Sequence, residues 1–200
     1  MMGFTATGKS TLALRLSKIM NTDLFHSAVT RKNINLSPEQ EEAADEFFDL
    51  RSSNRKAMDK IVYAENRMHS VQSLKKRKDV ILDAGHFFKS QRELIYHDTL
   101  QYRPEIFIIR TVCGEDEIIK RLNKRLKDFN KSHFNETPSF RAYESCKAVT
   151  EYPDGSDILP SGDLPVIIEV DTSKGDINIK QDGKNINKIE EILNAIKSAC

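Results

Sequence analysis

No run of apolar residues in the chain approaches the ~20 that a membrane-crossing helix needs, so the sequence predicts no transmembrane span. No secretory leader is visible ahead of the motif that fills the first eleven positions. An excess of one charge is also missing. Thirty-one basic residues stand against 30 acidic ones, a net charge of +1. That balance predicts no global attraction to nucleic acid or to an anionic membrane, and leaves only local patches to consider. Cysteine is scarce. Cys113, Cys146 and Cys200 are scattered and odd in number, which argues against a disulfide framework and against metal-site spacing. Reduced thiols in a cytoplasmic protein are the simplest reading. No internal repeat or low-complexity linker divides the chain. Its 200 residues therefore predict one domain over 1–200 with a core of ample size.

What is present is concentrated at the amino end. Gly3-Phe4-Thr5-Ala6-Thr7-Gly8-Lys9-Ser10 fits the spacing G-x-x-x-x-G-K-[ST], and Thr11 follows. Gly3 and Gly8 let the backbone turn where a Cβ would clash, so successive amide N–H groups can face one concavity. Such a nest binds phosphate oxygens. Lys9 adds a cation for the outer phosphates, and the Ser10 hydroxyl can ligate a Mg²⁺ that bridges them. The positions expected to hold nucleotide are Gly3, Thr5, Ala6, Thr7, Gly8, Lys9, Ser10 and Thr11. The run from about Ser10 to Met20 reads as a helix whose positive amino end also favours anions. A phosphate loop should follow a buried strand, and only Met1 and Met2 precede Gly3. The first strand is therefore expected to be very short, or the remnant of a longer one that begins further upstream.

The remaining pattern alternates helices with continuous apolar runs. Leu24-Phe25-His26, Val80-Ile81-Leu82, Ile106-Phe107-Ile108-Ile109 and Val166-Ile167-Ile168-Glu169-Val170 read as strands buried on both faces of a parallel sheet. Ser37-Pro38-Glu39-Gln40 marks a helix start, with Ser37 as N-cap and Pro38 at the first helical position. A second helix is expected from about Asn54 to Lys76, with the basic cluster Lys75–Lys78 at its carboxyl end. Asp83 closes the second apolar run, where a carboxylate would stand beside the phosphate loop and hold a metal-bound water or take a hydroxyl proton. Arg31 and Arg92 are candidates for gripping an acceptor, or else solvated surface arginines. Arg121 and Arg125 lie four apart on one helix face. They can close on a transferred phosphate or simply form a basic solvated face. The polar stretch from 130 to 138 reads as a lid, about 121–140 with its helix. Ile177-Asn178-Ile179 with Asp182-Gly183 suggests a small hairpin, and Ile186–Ala199 a closing helix.

In order along the chain, Gly3–Thr11, His26–Lys32, Val80–Phe87 and Arg121–Arg125 resemble small P-loop kinases. The chain is similar to the AAA-33-type kinase-like ATP-binding family, and more distantly to adenylylsulfate, gluconate and zeta-toxin-type kinases. The resemblance implies an α/β P-loop NTPase fold: a doubly wound parallel sheet of order 2-3-1-4-5 with a helical lid. It also implies ATP as co-substrate with Mg²⁺, Asp83 and Ser10 at the metal, and Lys9, Asp83, Arg121 and Arg125 in catalysis. The loop Asp171–Gly175 would border adenine. In one respect the chain departs from the family, whose members carry a small residue and an Asp before Arg-Lys. Here Ser27-Ala28 stands in that place.

The function expected is Mg-ATP-dependent phosphoryl transfer to a small hydroxylated acceptor. Ala28 motivates one alternative, a nucleotide-binding regulatory module without transfer. Lys75–Lys78 motivates another, a polynucleotide 5′-kinase, which near-neutral charge disfavours. The sequence does not name the acceptor, choose between ATP and GTP, or fix the oligomeric state.

Overall fold

A computed structural model describes residues 1–34, 50–127, 140–181 and 188–200. Two residues, Met2–Gly3, form strand β1, and helix α1 runs over Lys9–Ile19. Strand β2 (Asp23–His26) leads directly into helix α2 (Ser27–Asn33). Helix α3 (Ser53–Lys75) starts at Ser52, whose hydroxyl accepts from the Arg55 N–H at 3.5 Å and so satisfies one of the donors a helix start leaves open. Strand β3 (Val80–Asp83), helix α4 (Lys89–Thr99) and a single 3-10 turn (Leu100–Tyr102) come next. They are followed by strand β4 (Phe107–Val112) and helix α5 (Glu115–Lys127). Helix α6 (Phe140–Val149), strands β5 (Val166–Asp171) and β6 (Asp176–Gln181), and helix α7 (Ile189–Ala199) complete the chain. In α5, acids fill the first turn and Lys124, Arg125 and Lys127 the last, each sign opposing the helix dipole at its end.

The strands form a parallel core with helices on both faces. β1 pairs with β4, and β4 with β5, all parallel. β2 pairs with β3, also parallel, with His26 opposite Asp83. Each apolar run expected to be a strand is one. Leu12 and Leu16 of α1 pack with Ile192 and Ile196 of α7 against Ile109, Val166, Ile168 and Val170. On the opposite face, Ile118 and Leu122 of α5 and Tyr143 of α6 close over Ala6 of the phosphate loop. Burying one such aliphatic side chain contributes about 1.5–3 kcal/mol, so the layers on both faces dominate the balance.

Two sequence expectations change. The sheet is not one ladder but two, β2-β3 and β1-β4-β5-β6. The neighbours 2-3 and 1-4-5 are as expected, but the order differs in that β3 and β1 are not paired; the Met1 nitrogen donates to Leu82 O at 2.8 Å. The segment Ile177–Ile179 pairs antiparallel with β5, because Asp171–Gly175 turns tightly enough to fold it back. The helix expected from Ser37, the lid residues 128–139 and the Asp182-Gly183 turn lie outside the described residues. Among the described residues no helix is long and apolar enough to cross a membrane.

Candidate functional site

The phosphate loop lies between the end of β1 and the start of α1, its backbone forced by two close approaches. A Cβ on Gly3 would stand 2.3 Å from Thr111 Oγ1 and 2.9 Å from Thr7 Oγ1. Gly8 has φ +84°, a left-handed conformation that glycine adopts without a steric cost. Ala6 is also left-handed, at φ 60°, although it carries a Cβ. Its side chain is buried under Ile118, Leu122 and Tyr143, so packing holds the strained turn in place.

Hydroxyls fasten the loop from behind. Thr7 Oγ1 donates to Phe4 O at 2.8 Å and lies 2.8 Å from Thr111 Oγ1 of β4. Thr172, just past β5, donates to Thr7 O at 2.8 Å. The first bond of α1 runs from Leu12 N–H to Gly8 O, so the amides of Lys9, Ser10 and Thr11 have no acceptor within the helix. Free donors at a helix amino end, preceded by left-handed Ala6 and Gly8, make an anion site.

Asp83 stands at its edge, at the carboxyl end of β3, and is fully buried. Lys9 Nζ donates to Asp83 Oδ1 at 2.7 Å. The Ser10 side chain lies near enough to this carboxylate to help hold it ionised. Burial alone would raise the Asp83 pKa, but the charges of Lys9, then His26, with the Lys9 bond and the Ser10 side chain, outweigh it and hold the group at about 2. His26, at the end of β2, puts Nε2 3.3 Å from Asp83 Oδ2, outside hydrogen-bond geometry. Its Nδ1 accepts the Ala28 N–H at 3.0 Å, which leaves Nε2 as the protonated nitrogen of the neutral ring. The donor set suits Mg²⁺. A hydroxyl and a carboxylate oxygen with no hydrogen-bond donor are hard ligands, and Mg²⁺ bound with a polyphosphate needs few of them. Among the described residues no group of three or more His, Cys, Asp or Glu could hold a metal without the phosphates.

The arginines fall differently from the expectation. Arg121 braces the loop rather than facing the nest. Its Nε donates to Glu117, Nη1 to Ala6 O at 3.1 Å and Thr172 Oγ1 at 3.0 Å, and Nη2 to Thr172 O at 3.3 Å. Arg125 is exposed one turn further on. Arg92 is buried, so it does not meet an acceptor at the surface. Nε and Nη2 grip both oxygens of Asp157 at 2.7 and 2.9 Å, and Nη1 donates to His86 O and Glu151 O. Arg31 is buried too, with Nη2 3.3 Å from Asp59 Oδ1, and Arg55 takes the other oxygen at 3.0 Å. Both residues tie helices and loops together. The cluster Lys75–Lys78 also sits away from the nest. Lys78 pairs with Asp23, at the opposite end of β2 from His26.

Three groups of the site carried no role from the sequence alone: His26, Thr111 and Thr172. The signal for His26 was available in part, since both it and Asp83 end an apolar run and so share one edge of a parallel sheet. The threonines carry no local mark.

The geometry accords with comparison to known proteins. A family model described as AAA domain, AAA_33, matches residues 1–143. No curated protein sequence matches the chain. Among solved structures, Kti12 of Chaetomium thermophilum in complex with ADP-AlF3 superposes with a TM-score of 0.63 at 17% identity, covering 98% of this chain and 96% of that one. A sugar kinase from Janibacter sp. gives 0.57 at 14%, over 84% and 82%. A gluconokinase from Sinorhizobium meliloti gives 0.53 at 14%, over 99% and 87%. At these identities the superpositions speak to the fold, which is that of the P-loop kinases. The family match spans well over half of the chain, and the chain belongs to the AAA_33 family of kinase-like P-loop proteins.

Proposed function

We propose that the protein transfers the γ-phosphoryl group of Mg-ATP to a small hydroxylated acceptor. The observation that carries this reading is Lys9 bonded to the buried Asp83 carboxylate at the open amino end of α1, with Ser10 beside them. The amides of Lys9, Ser10 and Thr11 and the Lys9 ammonium would bind and orient the phosphates. Ser10 and Asp83 would hold the Mg²⁺ that comes with them, and that ion supplies charge neutralisation at the phosphate oxygens. Asp83, with a low pKa, stays ionised at neutral pH and can accept the acceptor's hydroxyl hydrogen. His26 Nε2–H beside it can orient the carboxylate. Arg121 fixes the wall between Ala6 and Thr172, and Arg125 is the cation left to meet spreading charge on the moving group. The printed names of two superposed structures, a sugar kinase and a gluconokinase, favour a polyol or sugar acid as acceptor.

The test is calorimetric titration with Mg-ATP and Mg-GTP, followed by product analysis on a panel of sugars, sugar acids and polyols. Saturable heat with a phosphorylated product supports transfer. A folded sample giving no heat with either nucleotide overturns it. Because Lys9→Ala strands a buried carboxylate, the control is Lys9→Met combined with Asp83→Asn, which should fold and turn over no ATP.

One observation favours a second reading. Ala28 stands where the family resemblance places a carboxylate, and its amide is occupied by His26 Nδ1. A nucleotide-dependent module without transfer would bind Mg-ATP and give no product on any acceptor in the panel.

A further inference from the structure

β6 is the last strand of its ladder, and among the described residues only its β5 side is paired. Its other side presents backbone N–H and C=O groups that can accept a further strand. Edges of this kind are commonly blunted by a lysine, a bulge or a covering segment. Here a lysine and a bulge coincide. The register with β5 slips at Lys180, with Ile179 opposite Ile168 and Gln181 opposite Ile167. Both devices therefore sit near one end of the strand. Residues 176–179 run in regular register ahead of them, and of these only Ile177 is partly buried.

The two faces of β6 differ. Ile177 packs against the layer of α1 and α7, as do the partly buried Ile189 and Leu193. Ile179, two residues on, lies on the same face and is 45% exposed, so that apolar face stays open at the sheet edge. Asp176 and Asn178 lie on the opposite face. Lys180 reaches Glu169 of β5 at 3.3 Å, yet its side chain remains half exposed.

These positions are symmetric about Asn178. An isoleucine stands one residue to either side, and an aspartate and a lysine stand two residues to either side. If the strand pairs antiparallel with a copy of itself about Asn178, Ile177 meets Ile179 of the second copy. Asp176 meets Lys180 of the second copy, and each contact occurs twice. A parallel joint would instead set aspartate against aspartate and lysine against lysine. Opposite charges and β-branched pairs directly across an antiparallel joint are stabilising, and like charges there are destabilising. The lysine that guards the edge against other strands is thus a matched charge in this one register.

We propose that β6 is a homodimer joint, at which two copies of the chain meet edge to edge, antiparallel about Asn178, and continue one sheet through both. A second copy is favoured over an unrelated strand because the pattern of charge and isoleucine is its own complement when reversed. The assembly closes as a twofold dimer, since the same edge of each copy is used and covered. The inference does not depend on the phosphotransferase reading.

Sedimentation of the whole chain over a range of concentrations reads the joint. A strand-only interface is small, under about 1,200 Å², so the dimer should be half-formed at roughly 10–100 µM. Asp176→Lys and Lys180→Asp should each weaken it by about tenfold or more, and the double variant should restore it. An equimolar mixture of the two single variants should dimerise as well, because each supplies the charge that the other lacks. That mixture tests the pairing whatever either variant loses alone. Amide exchange across 176–180 should slow by about tenfold or more where the dimer predominates. A chain that stays monomeric to ~1 mM overturns the proposal. So does a dimer that Asp176→Lys leaves intact, a double variant no more dimeric than the singles, or a mixture of the singles that fails to associate.

Discussion

Asp83 is the residue on which the site's electrostatics turn. Its folded pKa, about 2, lies below the ordinary 3.8. A depressed carboxylate contributes stability that is complete above its unfolded pKa and lost as pH falls through the folded one. The difference corresponds to about 2 kcal/mol, lost between about pH 4 and pH 2. Denaturant unfolding across that range should show the slope, and Asp83→Asn should flatten it. Lys9→Ala acts differently at neutral pH. It leaves a fully buried carboxylate without its main partner, a loss of about 3–5 kcal/mol, whereas Lys9 in Asp83→Asn is 14% exposed and can turn to water. Thermal melts should rank Lys9→Ala well below Asp83→Asn. Of the site, the motif residues were legible because their spacing is local and the backbone conformation they require is rare. Arg31 and Arg92 were not legible, since what decides them is Asp59 and Asp157, 28 and 65 positions away. A sequence shows an arginine near a strand end but not the carboxylate that folding brings to it.

At the scale of elements, one guanidinium ties α5, the turn after β5 and the phosphate loop together. Arg121→Met removes the bonds to Ala6 O and to Thr172, so the wall between loop and turn loosens. If Arg121 acts by shaping the nucleotide site, this variant raises the KM for ATP several-fold and leaves kcat within about threefold. A fall in kcat with KM unchanged would instead assign it to the moving phosphoryl group. Arg92 offers the contrast. Arg92→Met strands Asp157, 1% exposed, and should cost about 3–5 kcal/mol in denaturant unfolding without changing the acceptor KM. The strands β2 to β5 were readable as elements because uninterrupted apolar runs have no other comfortable place in a domain of this size. The pairing of β6 with β5 was less so. It depends on Asp171 accepting from the amides of Ser173, Lys174 and Gly175, a turn whose chemistry is visible only once its partners are known.

For the molecule as a whole, stability rests on the layer that α1 and α7 build against the sheet. Ile196 is fully buried in it. Ile196→Ala should lower unfolding free energy by about 2–5 kcal/mol, with nucleotide affinity per folded molecule unchanged, because the layer lies on the far side of the sheet from Ile118 and Leu122. The overall architecture was the most legible level, since order of elements and right-handed crossovers leave few ways to wind a parallel sheet. The brevity of β1 was legible too, since only Met1 and Met2 precede Gly3; the split of the sheet into two ladders was not.

The contact between Lys9 and Asp83 has one more consequence. The cation meant for a guest already has a resident counter-ion, so every arriving anion is judged against an internal competitor. A lone phosphate offers Lys9 little more than it gives up. On the proposed reading, a triphosphate that also held the loop amides would unseat the carboxylate where a lone phosphate would not, and competition binding with inorganic phosphate and Mg-ATP would show the difference.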